Sequence, residues 1–165
     1  MTNPTQPVKK RDVFVTRTFD APLALVWKAW TEPEHIMRWW GPDYFTSPLA
    51  NIDFREGGTS LVCMRAPDGQ DFYNTWTYRK IVPMERIEFI QRLSDQDGQK
   101  VDPVSLGLRA DFPEDVLTIV TFKALGDQTE LTVTEYGFPD TQMFEFAQLG
   151  LNQSLEKMAA SFASA

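Results

Sequence analysis

Cysteine and histidine are almost missing from this chain, which has one of each, Cys63 and His35. One thiol cannot close an internal disulfide, and one thiol with one imidazole cannot build a Cys/His zinc site, so both architectures are excluded. A Ser-His-Asp hydrolase would have to use His35, which lies between Glu34 and Ile36 at a position expected to face solvent, and that class is disfavoured. Positive charge is also scarce. Sixteen Lys and Arg face 23 Asp and Glu, for a net charge of -7 and a pI near 4.7. Such a molecule repels a phosphate backbone, and its one basic run, Lys9-Lys10-Arg11, falls at the start of the chain, so no nucleic-acid partner is expected. No apolar run approaches the roughly 18 residues of a membrane span, and the opening MTNPTQPVKKR lacks the apolar core of a secretion signal. The expectation is a reduced, cytoplasmic protein with no membrane contact, no metal and no cofactor.

What is present is a globular composition. With 165 residues, 42% of them hydrophobic and 13% aromatic, the chain suffices for one domain that buries roughly two thirds of its unfolded surface. Residues 1–10 hold two prolines and no periodic pattern and read as a flexible lead-in to a single domain over 11–165. Arg11 to Phe19 is rich in β-branched and aromatic residues and predicts a first strand. Asp20-Ala21-Pro22 then predicts a helix start with Asp20 as cap, and Leu23, Val26, Trp27 and Trp30 recur at helical spacing. A second short helix ends near Trp40, stopped by Gly41-Pro42.

From Phe45 onward strands alternate with turn signals, Gly57-Gly58, Pro67-Asp68-Gly69, Pro83-Met84 and Gly126-Asp127, which predicts an antiparallel meander. The stretch Ser94 to Glu114, rich in proline, glycine and acids, is the least regular part, the kind of long loop that is either a functional lid or disordered. Asp140-Thr141 caps a last helix to about Phe162 with Phe144, Ala147, Gln148, Leu151, Leu155 and Met158 on one side. The fold class is α+β: one strand, two short helices, a curved antiparallel sheet, and a long C-terminal helix that is the only element able to cover the sheet.

This order, and the segments that fill it, resembles the helix-grip fold of the START-like superfamily of polyketide cyclases and lipid-transfer proteins. Within it the chain is similar to the family named after the activator of the 90-kilodalton heat-shock chaperone ATPase. The segments that carry the resemblance are FDAPLALVWKAWTEPE from Phe19 to Glu34, RWWGP from Arg38 to Pro42 and DFREGG from Asp53 to Gly58. They continue with MRAPDG from Met64 to Gly69, IVPMERIEF from Ile81 to Phe89, FPEDVLTIVTF from Phe112 to Phe122, and GLNQSLEKM from Gly150 to Met158. The chain departs from the family pattern at three places: Trp76 stands where Gly is common, Lys80 where Glu is, and Leu151 where Trp is.

The residues suggest where a ligand would sit. Trp39 and Trp40 precede the Gly-Pro stop and either border a cavity entrance or plug the helix onto the sheet. Asn74, Trp76 and Tyr78 share one strand face, an apolar wall with an amide and a hydroxyl, which is the mixture small-molecule pockets show. Val62 and Met64 should face the same way from the preceding strand and Phe89 from the following one, with Phe144, Gln148 and Leu151 opposing them from the last helix. Among carboxylates, Asp53, Glu56 and Glu135 could serve as acid or base, and none forms a diagnostic pair by spacing. Cys63 reads as an inert small hydrophobe.

Three functions remain open. The leading one is a binding protein without catalysis that holds a small hydrophobic molecule between sheet and C-terminal helix. The second, implied by the family's name, is a module that contacts a protein partner such as a chaperone. The third is an enzyme of polyketide-cyclase or hydratase type in which Glu135 or Tyr78 moves a proton. A homodimer is compatible with a domain of this size, and no segment identifies its interface.

Overall fold

Among the described residues seven strands form one continuous antiparallel sheet, and three α-helices lie on its concave side. The computed structural model describes residues 11–163. The expected lead-in, residues 1–10, lies outside the described residues. The elements are β1 (Val13–Phe19), α1 (Leu23–Thr31), α2 (Pro33–Trp39), β2 (Thr46–Asn51), β3 (Thr59–Arg65), β4 (Asp71–Val82), β5 (Arg86–Ser94), β6 (Asp115–Leu125), β7 (Gln128–Glu135) and α3 (Thr141–Ala163). A single turn of 3₁₀ helix, Pro103–Leu106, interrupts the long connection between β5 and β6.

The sheet order is β1-β7-β6-β5-β4-β3-β2. Short turns join β2 to β5 in sequence and β6 to β7, the long connection joins β5 to β6, and β1 closes the far edge by pairing with β7, Val13 opposite Glu135 and Phe19 opposite Thr129. Cross-strand partners point to the same face. The register therefore defines rows across the concave side: Ser60, Trp76, Gln91 and Val116 in one, and Tyr78, Phe89, Thr118, Glu135 and Val13 in the next.

The helices follow their apolar spacing. On α1, Val26, Ala29 and Trp30 are buried, and Trp27 packs edge-on against Phe54 and Phe122 at 5.7 and 5.0 Å. Its cap differs from the expectation: Pro22 occupies the N-cap with no side-chain bond, and its carbonyl accepts from the N–H groups of Leu25 and Val26. The ring prefers the extended conformation found there, which leaves Asp20 two residues too early to cap. At the start of α3, Asp140 Oδ1 accepts from Met143 N at 2.9 Å, a true N-cap. Gly41 ends the α2 connection at φ +110°, and a Cβ there would stand 3.1 Å from that of Phe45 and 3.2 Å from that of Met64, so only glycine lets the chain cross so close to β3. Among the described residues no helix is long and apolar enough to cross a membrane.

Candidate functional site

The concave face is filled at one end and open at the other. At the filled end, Trp30 and Trp39 pack at a tilt with 4.6 Å between ring centroids, Trp76 lies 5.0 Å from Phe89, and Tyr78 meets Phe54 edge-on at 5.1 Å. Trp39 Nε1 donates to the Ala29 carbonyl at 2.7 Å, tying α2 to α1. Tyr78 and Ser60 share a hydrogen bond of 2.8 Å, and Ser60 Oγ also accepts from Asp53 N, so the tyrosine hydroxyl is committed. Burial pushes the Tyr78 phenol up to about 12.

At the open end α3 passes over the sheet with small residues, Ala147, Gly150 and Ser154, which cannot reach the strands. What remains is a cavity of about 410 Å³. Its sheet wall is Met64, Phe72, Asn74, Gln91, Leu93, Val116 and Glu135. Trp40, Gly41, Pro42 and Phe45 close one side. Leu108, Phe112 and Pro113, from the long β5–β6 connection, close another, and Phe138, Met143 and Leu151 complete the wall with the helix. Phe146 and Leu149 stand at its mouth, 68% and 57% exposed.

Two clasps fix these walls. Lys157 of α3 donates to the carbonyls of Gly41, Pro42 and Phe45 at 3.0, 3.3 and 3.1 Å, while Gln153 Oε1 accepts from Asp43 N. Burial lowers the Lys157 pKa, a tendency the nearby Asp43 opposes. On the other side Arg109 bridges Asp111 and Asp140, each at 2.7 Å, and so straps the 106–113 segment to the first turn of α3. That pairing holds the Asp140 carboxyl below its ordinary range.

The expected site residues separate into three groups. Trp40, Met64, Asn74 and Leu151 line the cavity. Trp39, Val62, Trp76, Tyr78 and Phe89 lie instead in the packed core behind it, where Trp76 supports the wall through an edge-on contact with Trp40 at 5.1 Å. Phe144 packs against the core beside the cavity and Gln148 is half-buried off its lining, because the helix presents Met143, Ala147, Gly150 and Ser154 to the hollow. Asp53 pairs with Arg55 and Glu56 accepts from Ile81 N, both away from the cavity. Cys63 is buried on the opposite face of β3, and His35 sits half-buried 3.9 Å from Glu32. Among the described residues no three of His, Cys, Asp and Glu are placed to hold a metal ion.

Glu135 is the group whose position changes the chemistry. It continues the inward phase of β7 after Thr129, Leu131 and Val133, which are all buried. A carboxylate at that phase of an otherwise inward-facing strand was the sequence signal for a polar group in the interior. Burial pushes its carboxyl up to about 7, and a hydrogen bond from the Gln91 side chain only partly offsets this. The cavity thus offers mostly apolar walls with a small polar group of Asn74, Gln91 and Glu135 on the sheet.

The model of the family described as activator of Hsp90 ATPase homolog 1-like protein matches residues 20–163. The chain belongs to this AHSA1 family. Its fold is shared by solved structures: a Chromobacterium violaceum protein at 27% identity, covering 93% of this chain and 98% of that one, has a TM-score of 0.77. The AHSA1 protein of Silicibacter pomeroyi, at 19% identity over 92% of this chain and 97% of its own, has a TM-score of 0.74. A Nitrosomonas europaea protein at 18% identity over 96% and 99% gives 0.76. Among curated proteins none matches the chain. AHSA1 membership accounts for the architecture and leaves the reaction or ligand to the residues of the cavity.

Proposed function

We propose that this AHSA1-family protein binds a small, largely apolar molecule in the cavity between the sheet and α3. The observation that carries the reading is the hollow itself: about 410 Å³, within the range of small-molecule sites, walled mainly by apolar and aromatic side chains with a few polar groups on one side. Apolar contact supplies most of the affinity, at about 25 cal/mol for each Å² removed from water. Asn74, Gln91 and Glu135 orient the guest.

The test plugs the hollow. A Cβ on Gly150 meets only Pro42 Cβ, at 4.0 Å, so Gly150→Leu has room for its first carbon and carries the rest of the side chain into the void while improving helix propensity. A thermal-shift and native mass-spectrometry screen of apolar compounds should find ligands that wild type retains and the folded variant loses. Ligands that bind both equally would place binding elsewhere and end this reading.

A second reading is favoured by Glu135 alone. A carboxyl poised near neutrality inside a cavity is suited to general acid–base catalysis, whereas Tyr78 lies outside the lining with its hydroxyl engaged. It predicts a turnover that Glu135→Gln abolishes without weakening substrate binding.

A further inference from the structure

We propose that the guest of this cavity is a cationic amine carried on an apolar body, with Glu135 as its counter-ion. The inference rests on the binding reading above and names the class of ligand. Its basis is a mismatch of charge within the wall. Glu135 lines the hollow among Leu93, Val116 and Phe138, and its hydrogen-bond partner there is the neutral amide of Gln91. Among the described residues no Lys, Arg or His belongs to the lining, and the other ionisable liner, Asp43 at the exposed rim, is also an acid.

A carboxylate drawn into an apolar wall is costly unless it takes up a proton or finds a cation. Burial raises the Glu135 pKa for this reason. An ammonium group would relieve the same cost with a charge and up to three donors. Elsewhere in the lining, the rings of Trp40, Phe72 and Phe112 add faces that attract a cation. An anionic guest such as a fatty acid would meet two acids and no base, on a protein of net charge -7, and is selected against.

Three probes of one shape separate the contributions: 1-naphthylmethylamine, 1-naphthalenemethanol and 1-naphthoic acid, titrated calorimetrically near pH 8 in low salt. Wild type should bind the amine about 10-fold or more tightly than the alcohol, and the acid most weakly. Glu135→Gln should bring amine and alcohol level, while Asp43→Asn at the rim should keep the preference. Equal binding of amine and alcohol by wild type, or a preference that survives Glu135→Gln, would overturn the inference and leave cavity binding standing. Failure of all three probes to bind would remove both.

A measurement on unaltered protein guards against a variant that does not fold. The ionisable groups facing the hollow are Glu135 from β7 and Asp43 from the loop after α2. α3 and β3 to β6 contribute neutral liners, and Tyr78 on β4 is bonded to Ser60. Because the amine stays protonated throughout, its affinity should fall about 10-fold as pH drops from near 8 to about 5.5 and Glu135 takes up a proton. The alcohol's affinity should not change. An amine affinity as flat as the alcohol's would refute the assignment.

Discussion

The two ends of the concave face are made by one sheet and differ in what covers them. At one end, α1 brings Trp30 down onto Trp76 and Phe89, α2 packs Trp39 against Trp30, and the space closes. At the other, α3 brings Ala147, Gly150 and Ser154, and the space stays open. The same strands run beneath both places, and at the open end they add Asn74, Gln91 and Glu135 to an otherwise apolar wall. The helices therefore decide where the protein is solid and where it is hollow, and a core and a binding site can share adjacent residues of the same strand.

The sharpest way to break this contrast is to remove a ring from each end. Trp39 is fully buried and bonded to Ala29, so Trp39→Ala should cost about 3–5 kcal/mol in urea denaturation. Phe112 is half-buried on the wall of the hollow, and Phe112→Ala should cost about 1 kcal/mol while altering ligand affinity. Equal losses would mean that the open end is packed as firmly as the closed one.

A second prediction concerns the charge that only the hollow end carries. The folded-state pKa of Glu135 stands near 7, above its ordinary 4.5, so the native protein holds an extra proton between those values. Its contribution is complete below about pH 4.5 and is lost as pH rises through 7, which should lower stability by up to roughly 3 kcal/mol across that window. Glu135→Gln should flatten this part of the pH-stability profile and make the protein more stable near pH 8. A wild-type profile that instead rises between pH 5 and 8 by more than the variant's would contradict the burial of this carboxyl.

The smallest effect on stability should come from the strap. Arg109 and its partners are exposed, and such pairs contribute about 0–1 kcal/mol, so Arg109→Ala should scarcely move the denaturation midpoint. It should speed ligand release measured by stopped flow, because the 106–113 segment loses its tie to α3. An unchanged release rate would show that the strap is not part of the entrance.

Much of the architecture was legible in the residues. Turn pairs such as Gly57-Gly58 and Gly126-Asp127 marked the hairpins, and the period of two in Asn74 to Tyr78 identified the inward face of β4. That period states which face a residue takes but not what lies opposite it, so Trp76 and Tyr78 in the core and Asn74 at the hollow look alike in sequence. The same difficulty affects α3. Phe144 and Gln148 follow the apolar stripe, yet small residues are what a helix presents where it must stand off a sheet, and Ala147, Gly150 and Ser154 attract no notice as binding residues. The polar end of the site needed three-dimensional information of another kind. Glu135 and Gln91 are 44 positions apart, brought together only because β5, β6 and β7 are consecutive neighbours.

The ammonium of Lys157 holds three carbonyls of the loop after α2 at once, so that loop and the second half of α3 must shift as one body or not at all. Traffic through this flank would require a half-buried charge to surrender every acceptor together. On the opposite flank the tie to α3 runs through water-exposed ion pairs around Arg109. The protein accordingly has a hinged side and a latched side, and a molecule entering or leaving should pass by the latch.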